Sequence, residues 1–133
     1  MRMRLAGILA AGCMALGGAA TAQDAKQILD LTKSSWIAVR EYQGQDLVYF
    51  TNILAWRCGV ERIRYAVNGE GLKRLETEPC YSDEVSPNAI KAEGVQPYVA
   101  FPQGSVKSVT VEVSFPDGSE QVMDYARGQV LTR

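Results

Sequence analysis

The strongest constraint on the fold is an alternating segment near the C-terminus, residues 108–115. Val109, Val111 and Val113 alternate with polar residues, which is the pattern of a strand with one face in the core and one in water. Residues 116–118 read Pro-Asp-Gly and predict a tight turn with a left-handed glycine. We therefore expect a β-hairpin. Counting back from the turn gives its register: Val109 opposite Tyr125, Thr110 opposite Asp124, Val111 opposite Met123, Glu112 opposite Val122 and Ser114 opposite Glu120.

The N-terminus has the order of a secretory signal peptide. Arg2 and Arg4 precede an uncharged, Ala/Gly-rich run over residues 5–22, and Ala20 and Ala22 have the spacing that signal peptidase accepts. We expect residues 1–22 to be removed and residues 23–133 to form a single domain, periplasmic or secreted. Two alternatives stay open: the run is an uncleaved membrane anchor, or Cys13 carries a lipid.

Charge and composition exclude several classes of function. Loss of the two leader arginines leaves 12 basic against 15 acidic side chains, so no general attraction for nucleic acid or an anionic membrane is expected. The chain contains no histidine, and histidine is both the commonest general base and the commonest metal ligand. We expect no metal site, no cofactor and no stable membrane span after cleavage.

Two cysteines, Cys58 and Cys80, remain in the exported domain, where an oxidising compartment favours a disulfide. Between them the sequence reads strand, Asn-Gly-Glu-Gly turn, strand. A loop of residues 68–70 places Cys58 opposite Cys80 and Ile63 opposite Leu75, whereas a loop of residues 69–71 shifts the register by two. The alternative to the disulfide is a reactive thiol at Cys58, activated by its neighbour Arg57, although no general base accompanies it.

The remaining elements complete a mainly β domain. We expect a short amphipathic helix over residues 25–33 and a hairpin of residues 36–42 and 46–54 joined at 43–45. Residues 47–50 are apolar on both faces and predict a central strand. A long ordered loop follows Cys80 and contains one short strand near residues 98–101. The predicted fold is a small antiparallel sandwich or a curled, barrel-like sheet of about six or seven strands with one N-terminal helix.

Two groups of side chains are candidate binding residues. One group could bind an anion from one strand face and consists of Arg57, Arg62 and Arg64, with Arg74 near them. The alternative is an ordinary solvated face, on which Glu76 and Glu78 of the returning strand neutralise these arginines. The other group is aromatic and lies in or beside the long loop, where exposure favours recognition: Tyr81, Tyr98 and Phe101. We expect the aromatic residues of the first half to be mostly core: Trp36, Tyr42, Tyr49, Phe50, Trp56 and Tyr65.

The carboxylate pairs Glu76 with Glu78 and Asp83 with Glu84 come without a phosphate loop, a nucleophile elbow or a metal-ligand spacing, so we expect surface or turn roles for them. The sequence therefore favours a non-catalytic binding or accessory module that acts on a protein partner in the cell envelope through the long loop and a sheet edge. Two alternatives remain: a small-anion-binding domain that uses the arginines, and an enzyme that uses carboxylates without histidine.

Overall fold

The computed structural model describes residues 22–133. The expected leader, including Cys13 and Ala20, lies outside the described residues, apart from Ala22 at the start of the first helix. No helix of residues 22–133 is long and apolar enough to cross a membrane. The helices are α1 (Ala22–Leu31), α2 (Thr51–Leu54) and α3 (Arg127–Val130), and the strands are β1 (Ala38–Tyr42), β2 (Gln45–Tyr49), β3 (Arg62–Val67), β4 (Lys73–Arg74), β5 (Tyr98–Pro102), β6 (Ser108–Ser114), β7 (Glu120–Ala126) and β8 (Leu131–Thr132).

The strands form two four-stranded sheets, in the orders β5-β2-β1-β8 and β4-β3-β6-β7. All neighbours are antiparallel except β1 and β8. The sheets are not closed, and apolar side chains from both of them meet in one core cluster. The mainly β prediction is confirmed, and of the two predicted architectures the sandwich is the one formed. The described residues hold eight strands rather than six or seven, because β4 and β8 are only two residues long.

The hairpin of β6 and β7 has the predicted register at every position, from Val109 opposite Tyr125 to Ser114 opposite Glu120. Gly118 takes the left-handed conformation with a φ of 88°. The mismatched pair of Glu112 and Val122 is accommodated on the outer face: Arg64 on β3 donates to the Glu112 carboxylate, and Val122 stays 51% exposed. The alternating pattern thus determined this half of the second sheet.

The first hairpin differs from the prediction at both ends of its second strand. Gln43 and Gly44, with φ of 50° and 80°, form a two-residue turn, so Gln45 already belongs to β2. After Tyr49 the chain turns into α2 instead of continuing as a strand to residue 54. The apolar side chains of Phe50, Ile53 and Leu54 have helical spacing and are all buried, and this packing outweighs the β-propensity of the run. As predicted, β2 lies inside its sheet, between β1 and β5.

Helix α1 begins and ends earlier than the predicted residues 25–33, and a 3-10 turn, Lys33–Ser35, follows it. Its buried face carries Ala25 and Leu29. The fully buried Trp36 donates its indole N–H to the Leu29 carbonyl over 2.8 Å, so the helix end and the start of β1 are held together in the core.

The hairpin of β3 and β4 has the register of the first predicted alternative: Arg64 lies opposite Arg74, and Leu75 donates its amide to the Ile63 carbonyl over 2.8 Å. The paired ladder is short, and Cys58 lies before it in the 3-10 turn Arg57–Gly59. The disulfide from Cys58 to Cys80 is nevertheless formed, with the two Cα atoms 5.0 Å apart. The structural disulfide is therefore confirmed in preference to the free thiol.

A buried ion pair that the sequence analysis did not anticipate joins β2 to the C-terminal segment. Asp46 is fully buried, and Arg127 donates to its two carboxylate oxygens over 2.6 and 3.1 Å. The amide of Val106 donates to the same carboxylate over 3.0 Å. These donors, above all Arg127, hold the pKa of Asp46 far below its usual value despite burial.

Candidate functional site

The loop after Cys80 is ordered by Arg57. This side chain is only 6% exposed, and it does not lie on the β3 face with Arg62 and Arg64. Because all its donor nitrogens bind carbonyl groups of the protein, Arg57 anchors the loop and has no N–H group left for a ligand. Nε donates to Glu78 (3.1 Å) and Pro79 (3.0 Å), Nη1 to Leu54 (3.1 Å) and Asn88 (2.9 Å), and Nη2 to Pro79 and Ala89 (both 2.8 Å).

Glu78 anchors the same loop from inside, which corrects its expected place on a solvated strand face. The residue is 7% exposed. Its carboxylate accepts from the Tyr81 hydroxyl over 2.5 Å and from the amides of Lys91 and Ala92 over 3.0 Å each. The hydroxyl of Tyr81 is the main cause that lowers the pKa of Glu78. A carboxylate held ionised in this way is poorly suited to general acid catalysis.

Tyr81, which is half-buried, takes part in the same network. The Lys91 ammonium lies 4.1 Å from its ring centroid and the Arg57 guanidinium carbon 5.4 Å from it. The two cations contact the aromatic ring while its hydroxyl is bound to Glu78. Of the three candidate aromatic residues, Tyr81 therefore has a structural role in the loop, and the other two lie elsewhere.

Three arginines lie on the outer face of β3 and β4: one is neutralised by a glutamate, and the other two have no ion pair in the described part of the chain. Arg64 forms an ion pair with Glu112 on β6, not with Glu76 or Glu78 as expected. Neither Arg62 nor Arg74 has a carboxylate within ion-pair distance among residues 22–133. The only bond of the Arg62 guanidinium is a long one of 3.5 Å to the Ser114 hydroxyl, and its buried Nε has no hydrogen-bond partner in this part of the chain.

An open groove runs between the β4 edge of one sheet and the β5 edge of the other; we call it the edge groove. It consists of two adjoining depressions of about 370 and 410 Å³ that share Arg74, Leu75, Glu76 and Val95 in their walls. The first is also lined by Arg57, Glu61 and Arg62, and the second by Tyr65, Tyr98 and Val99. The groove thus brings two of the candidate groups together, Arg62 at one end and Tyr98 at the other.

Aromatic side chains continue the wall of the edge groove. Tyr98 packs against Tyr49 with ring centroids 5.2 Å apart. A small further depression beside Tyr65 is lined by Phe101 and by the turn of the β3–β4 hairpin. Burial raises the pKa of Tyr65, so its hydroxyl stays protonated and able to donate a hydrogen bond. Trp36 and Phe50 are fully buried core residues, as predicted, whereas Tyr42 is 45% exposed.

The β5 strand has an unpaired edge beside this groove. Phe50 donates its amide to the Pro97 carbonyl over 2.9 Å, and Gln103 donates to the Gly44 carbonyl over 3.2 Å. Hydrogen bonding alternates along an antiparallel ladder, so in the observed register Val99 and Phe101 also bond to β2. The amide and carbonyl groups of Tyr98 and Ala100 therefore point away from β2. In the described sheets no strand lies on that side of β5.

Comparison of the chain with protein-family models, with curated proteins and with solved structures finds no match. No group of three or more Cys, Asp or Glu side chains within residues 22–133 is arranged to hold a metal ion. Sequence reasoning missed the roles of Arg57 and Glu78 as loop anchors, because only the loop's path brings the carbonyls and amides that they bind together.

Proposed function

We propose that this protein is an exported, non-catalytic binding module that takes an extended segment of a partner protein in the cell envelope as an added strand on β5. The observation that carries the proposal is the free edge of β5 beside the edge groove. Tyr98 and Ala100 present two amide donors and two carbonyl acceptors there, and a polypeptide in the β conformation has the matching groups at the same spacing.

Backbone pairing alone makes no contact with the side chains of an added strand, and the groove provides that contact. Alternate side chains of an added strand would point toward the groove walls formed by Tyr65, Val95 and Tyr98. Aromatic residues provide large contact areas at low entropic cost, which suits them to recognition. Tyr98 is thus the aromatic binding residue of the groove in this proposal, whereas Phe101 packs partly against the core and lines only the small depression beside Tyr65.

Export is supported by the order of the N-terminal sequence and by the disulfide, because disulfides persist mainly in oxidising compartments. The ordered loop fits the same picture. Arg57, Glu78 and the disulfide fix the chain on the way into β5, so the edge is held in place before a partner binds. Preorganisation of this kind reduces the entropic cost of association.

The experiment is selection from a phage-displayed library of random peptides on the purified exported protein, followed by hydrogen exchange with synthetic copies of the enriched peptides. The amides of Tyr98 and Ala100 should exchange rapidly in the free protein and slowly in the complex. Ala100→Pro should reduce affinity at least tenfold, because it removes one outward donor at about 1–2 kcal/mol and blocks close approach. The fold should survive, since proline is tolerated where the N–H points away from the sheet.

The matched control is Ala100→Thr, which keeps the amide donor and should keep the affinity. Enriched peptides that bind Ala100→Pro as well as the natural chain, or that leave the Tyr98 and Ala100 amides exchanging rapidly, would refute strand addition at β5. Slow exchange of these amides in the protein alone, with a mass twice that of the monomer, would show that a second copy of the chain occupies the edge instead.

A further inference from the structure

We infer that the end of the edge groove at Arg62 and Arg74 is a subsite for a single carboxylate, and that its occupant is an acidic side chain of the same extended segment that pairs with β5. The inference rests on the proposed function and specifies the chemistry of the partner. It concerns the depression of about 370 Å³ at this end of the groove.

The first reason is that neither Arg62 nor Arg74 has a carboxylate partner among residues 22–133. Arg74 lies directly opposite Arg64 on the next strand, and like charges in this relation repel each other. Arg64 is neutralised by Glu112. Arg62 is two residues along the same strand and has a diagonal relation to Arg74, about 7–8 Å between Cα atoms. Two arginines at this separation can both reach one bound carboxylate.

The second reason is the orphaned Nε of Arg62. Buried polar atoms are nearly always hydrogen-bonded, and an exception calls for a partner. This Nε has none among residues 22–133, and Nη2 has only the distant Ser114 hydroxyl. The Nε–H and one Nη–H of a guanidinium together form the fork that binds both oxygens of a carboxylate. The Nε atom itself is occluded, but Arg62 as a whole is only half-buried, so a rotation of its guanidinium toward the depression would let a bound carboxylate satisfy this donor.

The wall composition indicates one negative charge and not more. Arg57, Arg62 and Arg74 line the depression together with Glu61 and Glu76, so the lining carries one cation more than anions. Arg57 adds only its charge, because its N–H groups are all bound to carbonyls of the chain. Neither glutamate forms an ion pair with these arginines in the described part of the chain, and both would repel a dianion such as phosphate. A carboxylate, which carries one charge in a planar and bidentate shape, fits this balance better.

The position of the depression along the edge groove indicates that the carboxylate belongs to the added strand. Arg74, Leu75, Glu76 and Val95 line both this depression and the one that Tyr98 and Val99 of β5 line. An extended segment on β5 therefore runs toward Arg62 and Arg74 at one of its ends. An aspartate or glutamate at that point would fix the register and direction of the segment, which backbone pairing alone specifies weakly.

The test uses the enriched peptides from the phage selection in paired acidic and amide forms. We expect an aspartate or glutamate at a constant position, and replacing it by asparagine or glutamine should weaken binding on the order of tenfold. Arg62→Gln and Arg74→Gln should each weaken the acidic peptide to a similar extent and leave the amide peptide unaffected. Arg40→Gln, on the exposed face of the other sheet, is the matched control and should change neither affinity.

The outcomes separate the two proposals. Peptides that need the β5 edge but carry no constant acidic residue, or that bind Arg62→Gln unchanged, overturn the carboxylate subsite and leave strand addition standing. The absence of any β5-dependent peptide overturns strand addition. In that case an NMR titration with acetate and with inorganic phosphate decides the occupant: saturable shifts of the Arg62 Nε–H signal would identify a free small anion as the ligand and contradict an acidic segment.

Discussion

Replacement of Arg57 by lysine is the sharpest test of how the long loop is held. Lysine keeps the positive charge but offers three N–H donors from one point, whereas the arginine fork offers five. The guanidinium of Arg57 donates to five different carbonyl groups. At least two of these carbonyls would therefore lose their donor. A buried polar group without a partner costs about 1–3 kcal/mol, so we expect Arg57→Lys to lower the free energy of unfolding by about 4 kcal/mol.

The assay is urea unfolding at pH 7 with the disulfide intact. The control is Arg40→Lys, which should change stability by less than about 0.5 kcal/mol because the side chain of Arg40 is exposed. Native-state hydrogen exchange provides a second measurement. The amides of Lys91 and Ala92, which bind Glu78 in the same loop, should lose protection more than those of β6. The reasoning would be refuted by an Arg57→Lys protein that unfolds within about 0.5 kcal/mol of the natural chain.

Three further predictions concern the disulfide, the Asp46–Arg127 ion pair and the N-terminus of the exported protein. Loss of the disulfide should lower the free energy of unfolding, measured with urea, by about 2–5 kcal/mol in Cys58→Ser and in Cys80→Ser. The double variant should lose little more, because all three variants lack the same bond. Two titratable thiols in freshly exported protein would contradict the disulfide. Asp46→Asn should cost about 3 kcal/mol at pH 7, because it leaves Arg127 without its buried partner. The folded-state pKa of Asp46 lies below its unfolded value, so this stabilisation is complete above about pH 4 and is lost as the pH falls further. The difference in unfolding free energy between Asp46→Asn and the natural chain should therefore become smaller in acid. A difference that stays constant with pH would exclude the ion pair as its source. Intact-mass analysis of exported protein should give an N-terminus at or near Gln23, and a retained Met1 or a lipid on Cys13 would contradict cleavage after Ala22.

The sequence predicted the strands and their register correctly where the polar and apolar residues alternate regularly and the partner strand is close in the chain. The β6–β7 hairpin has its predicted register because the turn fixes which residues face each other and the alternation fixes which face is buried. Cys58 and Cys80 could be paired for a similar reason. The two errors in the prediction of β2 fall at its ends. At Gln45 a two-residue turn of Gln43 and Gly44 forms instead of the expected three-residue turn, and after Tyr49 the burial of Ile53 favours a helix over a strand.

The candidate site was predicted only in its parts. Arg62, Tyr98 and Phe101 were named from residue type and position. The structure places Arg62 and Tyr98 in the edge groove and Phe101 in the small depression beside Tyr65. Arg57 and Tyr81 were named for the same reasons but serve inside the loop. Nothing in the residue types separates these two outcomes, because an arginine binds a carbonyl of its own chain and the carboxylate of a ligand with the same donors.

The sequence by itself determined the mainly β fold, the β6–β7 register and the Cys58–Cys80 bond, since each depends on residues close together in the chain or on a single possible pairing. Only the tertiary structure decided which charges are free. Arg64 forms an ion pair with Glu112, 48 residues away in the sequence, and Asp46 forms one with Arg127, 81 residues away. Arg62 and Arg74 are left without a carboxylate in residues 22–133. Those pairings depend on which strands lie next to each other in the sheets. That spatial order is determined by burial of the whole core and not by the sequence around any one charged residue.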